Sequence, residues 1–65
     1  MKMEYDPEAN AVYIRFSDDK IIETAEVQPG VIFDFDAGGR IVGFELLDAR
    51  EKLARTALDN LTAAA

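Results

Sequence analysis

The chain has 65 residues, with thirteen Asp and Glu against seven Lys and Arg, a net charge of −6, and neither cysteine nor histidine. That composition excludes a disulfide framework, thiolate and imidazole metal sites, and the commonest nucleophile–base pairs; the charge repels polyphosphate, so nucleic acid is not an expected partner. No apolar run reaches the roughly 18 residues of a membrane span, and Met1-Lys2-Met3-Glu4-Tyr5 lacks the apolar core of a signal peptide, so a cytoplasmic protein is expected.

Residues 1–65 read as one domain. A chain this short buries only about 60% of the surface it exposes when unfolded, and the usual support for so small a core without disulfides is self-association. A homodimer is therefore expected.

The first strand covers residues 1–5, with Met1, Met3 and Tyr5 alternating with Lys2 and Glu4. Asp6-Pro7-Glu8-Ala9-Asn10 then turns the chain, because Pro7 presets φ, Asp6 can accept from the backbone two residues on, and Asn10 tolerates the left-handed region. A second strand over 11–17 buries Val12, Ile14 and Phe16. After Asp18-Asp19, a third over 21–27 buries Ile21, Ala25 and Val27 and carries Glu23 as a misfit. Gln28-Pro29-Gly30 ends it.

Residues 30–47 are the most legible stretch, a β-hairpin with arms 31–35 and 40–47 about an Asp36-Ala37-Gly38-Gly39 turn. Val31, Phe33 and Phe35 share one face of the first arm; Val42, Phe44 and Leu46 share one face of the second. Gly38 and Gly39 supply the positive φ of the reversal, and Gly43 marks a bulge or a close backbone contact. Each turn length matches the parity of the buried sets on its two sides, which is what a consecutive meander requires. From residue 49 to about 62 the period becomes helical, with Asp48 and Glu51 spaced as a capping box and Leu53, Ala54, Ala57, Leu58 and Leu61 in one stripe. The Thr-Ala-Ala-Ala end is expected to fray. The predicted fold is α+β: a five-stranded antiparallel β-meander with one C-terminal helix packed on one face.

One helix about 10 Å wide cannot cover five strands spaced about 4.8 Å apart. The opposite face also carries Tyr13, Ile22, Ile32, Ile41 and Leu47, the candidate interface residues for a dimer formed by sheet faces or edges.

The sharpest chemical candidate overlaps the hairpin. Counted from Asp34, the residues Asp34, Asp36, Gly38, Gly39, Ile41 and Glu45 fall at positions 1, 3, 5, 6, 8 and 12 of an EF-hand-like loop. Asp34, Asp36 and Glu45 are thus the calcium candidates. Gly38 at position 5 and the strand-like Val31-Ile32-Phe33 in place of an entering helix favour a plain hairpin with solvated acids, so no metal and no cofactor is expected. Ser17 is the lone serine, and acids such as Asp34 and Asp36 would need a cleft to act as acid and base, so no catalytic residue is assigned.

Three ordered stretches, Tyr5-Asp6-Pro7-Glu8-Ala9-Asn10-Ala11-Val12-Tyr13-Ile14, Gly30-Val31-Ile32-Phe33-Asp34-Phe35-Asp36 and Gly39-Arg40-Ile41-Val42-Gly43-Phe44-Glu45-Leu46-Leu47-Asp48-Ala49, resemble the bacterial domain-of-unknown-function family numbered two-two-eight-three. The resemblance runs from Met1 to about Ala49 and departs at Asn10, where family members often carry Asp. It implies a small stand-alone bacterial protein and transfers no functional residue.

Size, charge and absent catalytic groups point to a non-enzymatic protein-interaction module, such as the neutralising member of a two-gene pair that binds a basic protein. The alternative is a metal- or small-ligand-binding domain that uses the Asp34–Glu45 loop.

Overall fold

The structure, a computed structural model, describes residues 1–64, with side chains through residue 61. Ala65, the last residue of the tail expected to fray, lies outside the described residues. Five strands, β1 (Lys2–Asp6), β2 (Ala11–Arg15), β3 (Glu23–Gln28), β4 (Val31–Phe35) and β5 (Ile41–Leu47), form one antiparallel sheet, followed by α1 (Ala49–Lys52) and α2 (Arg55–Ala64). The α+β class, the strand count and the antiparallel pairing agree with the sequence reading.

The connectivity does not. The strand order is β1-β2-β5-β4-β3, so β2 pairs with β5 and the chain then runs from mid-sheet to the far edge. Parity could not separate the two topologies, because Val12 opposite Leu46 and Ile14 opposite Phe44 match faces as well as a β2–β3 hairpin would. Residues 16–22 decide it. Arg15 Nε donates to Ser17 O at 2.8 Å and its Nη2 to Asp19 O at 2.9 Å, while the Phe16 amide donates to Val42 O at 2.7 Å. The Asp18-Asp19 segment is therefore an Arg15-held loop, not a tight turn.

Two bulges move side chains from their expected faces. One, between Glu26 and Gln28, leaves Val27 unpaired and 52% exposed, where burial was expected. The other places Phe35 opposite Ile41 while Asp34 stays opposite Gly43, so Ile41 shares the face of Phe35 instead of the face of Ile32. Gly43 is thus next to a bulge, as anticipated. Of the two glycines in the Asp36–Gly39 turn, Gly39, at φ +78°, is left-handed and Gly38 is not.

The C-terminal helix is divided. Leu53 is extended at φ −88° and ψ 147°, which redirects α2 so that Leu53 and Leu61 both reach the cluster of Val12, Leu46 and Ala49. The expected capping box does not form. Asp48 is left-handed and its side chain accepts no capping bond; instead Asn10, in the distant β1–β2 turn, accepts from the Arg50 amide through Oδ1 at 2.9 Å and donates through Nδ2 to Glu51 Oε1 at 2.7 Å. An amide serves both ends of this bridge, whereas a carboxylate at position 10 would face that of Glu51.

The core is accordingly small and lies at one end. Val12, Leu46 and Ala49 are buried and ringed by Tyr5, Ile14, Val31, Phe44, Leu53 and Leu61. α2 packs chiefly on β1 and α1 and does not lie across the sheet. Phe16, expected inside, is 47% exposed because β2 ends at Arg15. Met1 and Met3 are exposed as well, for β1 is an edge strand. Among the described residues no helix is long and apolar enough to cross a membrane.

Candidate functional site

The structure does not bring the three calcium candidates together. Asp36 is spent on its own turn, where Oδ1 accepts from the amides of Gly38 and Arg40, each at 2.9 Å. Glu45 sits in mid-strand opposite Tyr13 and Ile32. Among the described residues no group of three or more His, Cys, Asp or Glu is arranged to hold a metal ion.

Asp34 has a different environment. It lies on the sheet face turned away from the helices, 9% exposed, between two hydroxyl donors from other strands. Tyr13 on β2 donates to Oδ2 at 3.0 Å, and Thr24 on β3 donates to Oδ1 at 2.7 Å. The tyrosine hydroxyl crosses β5 to do so, and the crossing is open only because residue 43 is glycine: a Cβ there would meet Tyr13 Oη at 2.7 Å and Asp34 Oδ2 at 3.0 Å. A polar row thus ties β2, β4 and β3 together across a gap in β5. The carboxylate expected to be solvated is a buried structural acceptor. The signal present in the sequence was an acid between Phe33 and Phe35 in one arm and a mid-strand glycine in the other.

This row alters the acidity of Tyr13. Burial of its ring, then the hydrogen bond and negative charge of Asp34, raise the hydroxyl above the ordinary tyrosine value of 10.0, against a smaller opposing effect of Arg15. A raised tyrosine favours the neutral form in the folded state, so its stabilisation is complete below the unfolded pKa and is lost as pH rises through the folded one. In an absorbance titration Tyr13 should ionise at higher pH than it does in Asp34→Asn. Coincident titrations in the two proteins would show that the carboxylate does not act on the hydroxyl.

The interface candidates separate. Tyr13, Ile32 and Leu47 are half-buried on the polar face, Ile22 precedes β3 and is 56% exposed, and Ile41 is carried by its bulge to the helix side, 47% exposed. The larger apolar exposure is on that helix side. Register places Phe44 beside Phe33 and Ala25 in one row; in the next, Phe16 is opposite Val42, and the bulged Ile41 is opposite Phe35. Phe33 and Phe44 are 5.4 Å apart between ring centroids, Phe33 and Phe35 6.3 Å. Of the four phenylalanines, Phe16, Phe33 and Phe35 lie outside the helix-covered cluster, while Phe44 packs against it.

The acids are placed differently. Glu23 and Glu26 are exposed along β3, an edge strand, while in the 16–22 loop Asp18 lies near Lys2, Glu4 and Arg15 and Asp19 near Ile22 and Asp36. Among the described residues the one ion pair is Lys2 with Glu4, at 3.1 Å. Ser17 Oγ donates to Asp19 Oδ2 at 2.9 Å and accepts from the Asp19 amide at 3.2 Å, bonds that close its own loop.

A family model described as "Protein of unknown function (DUF2283)" matches residues 2–50. No curated protein and no solved structure matches.

Proposed function

The chain belongs to the DUF2283 family, whose description assigns no activity, and from that premise we propose that it is a non-enzymatic interaction module whose acidic edge receives a basic protein. The observation that carries this reading is the β3 edge. Its outer backbone groups have no strand beside them, and Glu23 and Glu26 lie exposed along it. An exposed edge is a template for strand addition, in which main-chain hydrogen bonds supply affinity and side chains supply selectivity. With those two glutamates on β3, an added strand rich in Lys or Arg is attracted and an acidic one is repelled. The absence of histidine and cysteine from the sequence supports a binding role over catalysis. A neutralising member of a two-gene pair would use such a surface on its basic counterpart.

A short Lys/Arg-rich extended peptide titrated into isotopically labelled protein should shift amide resonances of Glu23–Gln28 most strongly. The effect should weaken as salt is added and be lost in the Glu23→Lys, Glu26→Lys double variant. Shifts spread evenly over the sheet, or none at millimolar peptide, would refute the edge as the binding surface. Recovery of one stoichiometric basic protein from the native host would identify the natural partner.

A further inference from the structure

The geometry points to a second copy of this chain as the layer that covers the phenylalanine face. The inference rests on the uncovered sheet half and not on the acidic edge, so either can fail alone.

A sheet with one open apolar face needs a second layer, and here α1 and α2 supply it only at the β1 side. Over the two phenylalanine rows the exposed or half-buried side chains are Phe16, Phe33, Phe35, Ile41, Phe44 and Ala25, set around the buried Val42, and the one charged group in register with them is Glu23, at the outer edge. Two chains each carrying a net charge of −6 can approach at low electrostatic cost only where acids are few. The phenylalanine face meets that condition. The sheet edges do not: antiparallel β3–β3 pairing would set Glu23 and Glu26 of one copy among those of the other. The β1 edge is flanked by Lys2, Glu4 and α2. Facing sheets are thus the arrangement left open to self-association, a two-fold contact in which the same patch serves both copies and the rings interdigitate about 10 Å between sheets.

The size of the patch sets the strength. Phe16 and Ile41 are each 47% exposed and the other rings less so. Since a phenylalanine buries roughly 150–250 Å², the patch offers on the order of 300 Å² per copy. A standard interface takes about 800 Å² from each partner, so this contact belongs to the weak class that forms only at high protein concentration.

Sedimentation equilibrium from about 10 μM to 1 mM is the test, with that span bracketing a weak dimer. The wild-type mass should rise from one chain towards two. Phe16→Asp should raise the dissociation constant at least about tenfold; it lies beyond the end of β2, where folding tolerates a charge. Ile41→Asp gives the same reading from β5 should the first variant fold poorly. Ile22→Asp, exposed but off this face, should leave the association unchanged. A wild-type chain that stays monomeric at 1 mM, or a dimer disturbed by Ile22→Asp and by neither Phe16→Asp nor Ile41→Asp, would overturn the proposal.

Discussion

Leu46→Ala should lower the melting temperature by about 15–25 °C, the largest loss expected of any single truncation. Leu46 is 7% exposed on β5 and pairs with Val12 on one side and Val31 on the other, beneath Ala49. Removing a buried leucine to alanine costs about 2–5 kcal/mol, through lost transfer energy and the cavity left behind. In a domain of this size each kcal/mol moves the melting temperature by roughly 4–8 °C. Few other buried groups can share the loss, because the buried apolar residues are Val12, Val42, Leu46 and Ala49. A circular dichroism melt within a few degrees of the wild type would mean that the stability resides in the phenylalanine rows and not in the helix-covered end.

Asp34→Ala should cost about 2–3 kcal/mol, and Asp34→Asn about 1, in denaturant titrations. The alanine variant leaves the hydroxyls of Tyr13 and Thr24 without the acceptor that both now use. Asparagine keeps one acceptor oxygen of similar shape. The cost of Asp34→Ala should fall when Tyr13→Phe and Thr24→Val are already present, since the three residues form one network and their effects are not additive. Equal stability of all these proteins would show that the polar row is held by the strands and does not hold them. The result also bears on the loop that imitates a calcium site. Its first residue is engaged in the sheet, and a variant of Asp34 loses stability for reasons unrelated to any ion.

Where the sequence succeeded, local rules were enough. Alternating apolar residues located all five strands to within two residues at most ends, and Pro29-Gly30 and Asp36–Gly39 closed their hairpins where turn chemistry required. What failed was long-range. β5 stands between β2 and β4, and the loop that Arg15 holds through the Ser17 and Asp19 carbonyls leaves no mark in the periodicity. The displacement of Ile41 and Val27 follows from bulges, which shift parity by one residue without leaving a strong mark in composition. Asp34 read as solvated because a single strand cannot show that Tyr13 and Thr24 arrive from its neighbours. Asn10 was legible as a turn residue, while its second role at the start of α1 lies 40 residues away in the chain.

The strand order also governs how the molecule is made. β5, bonded on both sides, is the last strand to leave the ribosome, while β1–β2 and β3–β4 are complete hairpins before it. Each nascent hairpin must wait with one long side of its backbone unpaired, and isolated hairpins are at best marginally stable in water. The sheet is therefore complete only when β5 has paired with both β2 and β4, which joins the two hairpins. A chain cut short before Ile41 would be one polypeptide carrying two hairpins with no strand to join them, and not a smaller domain.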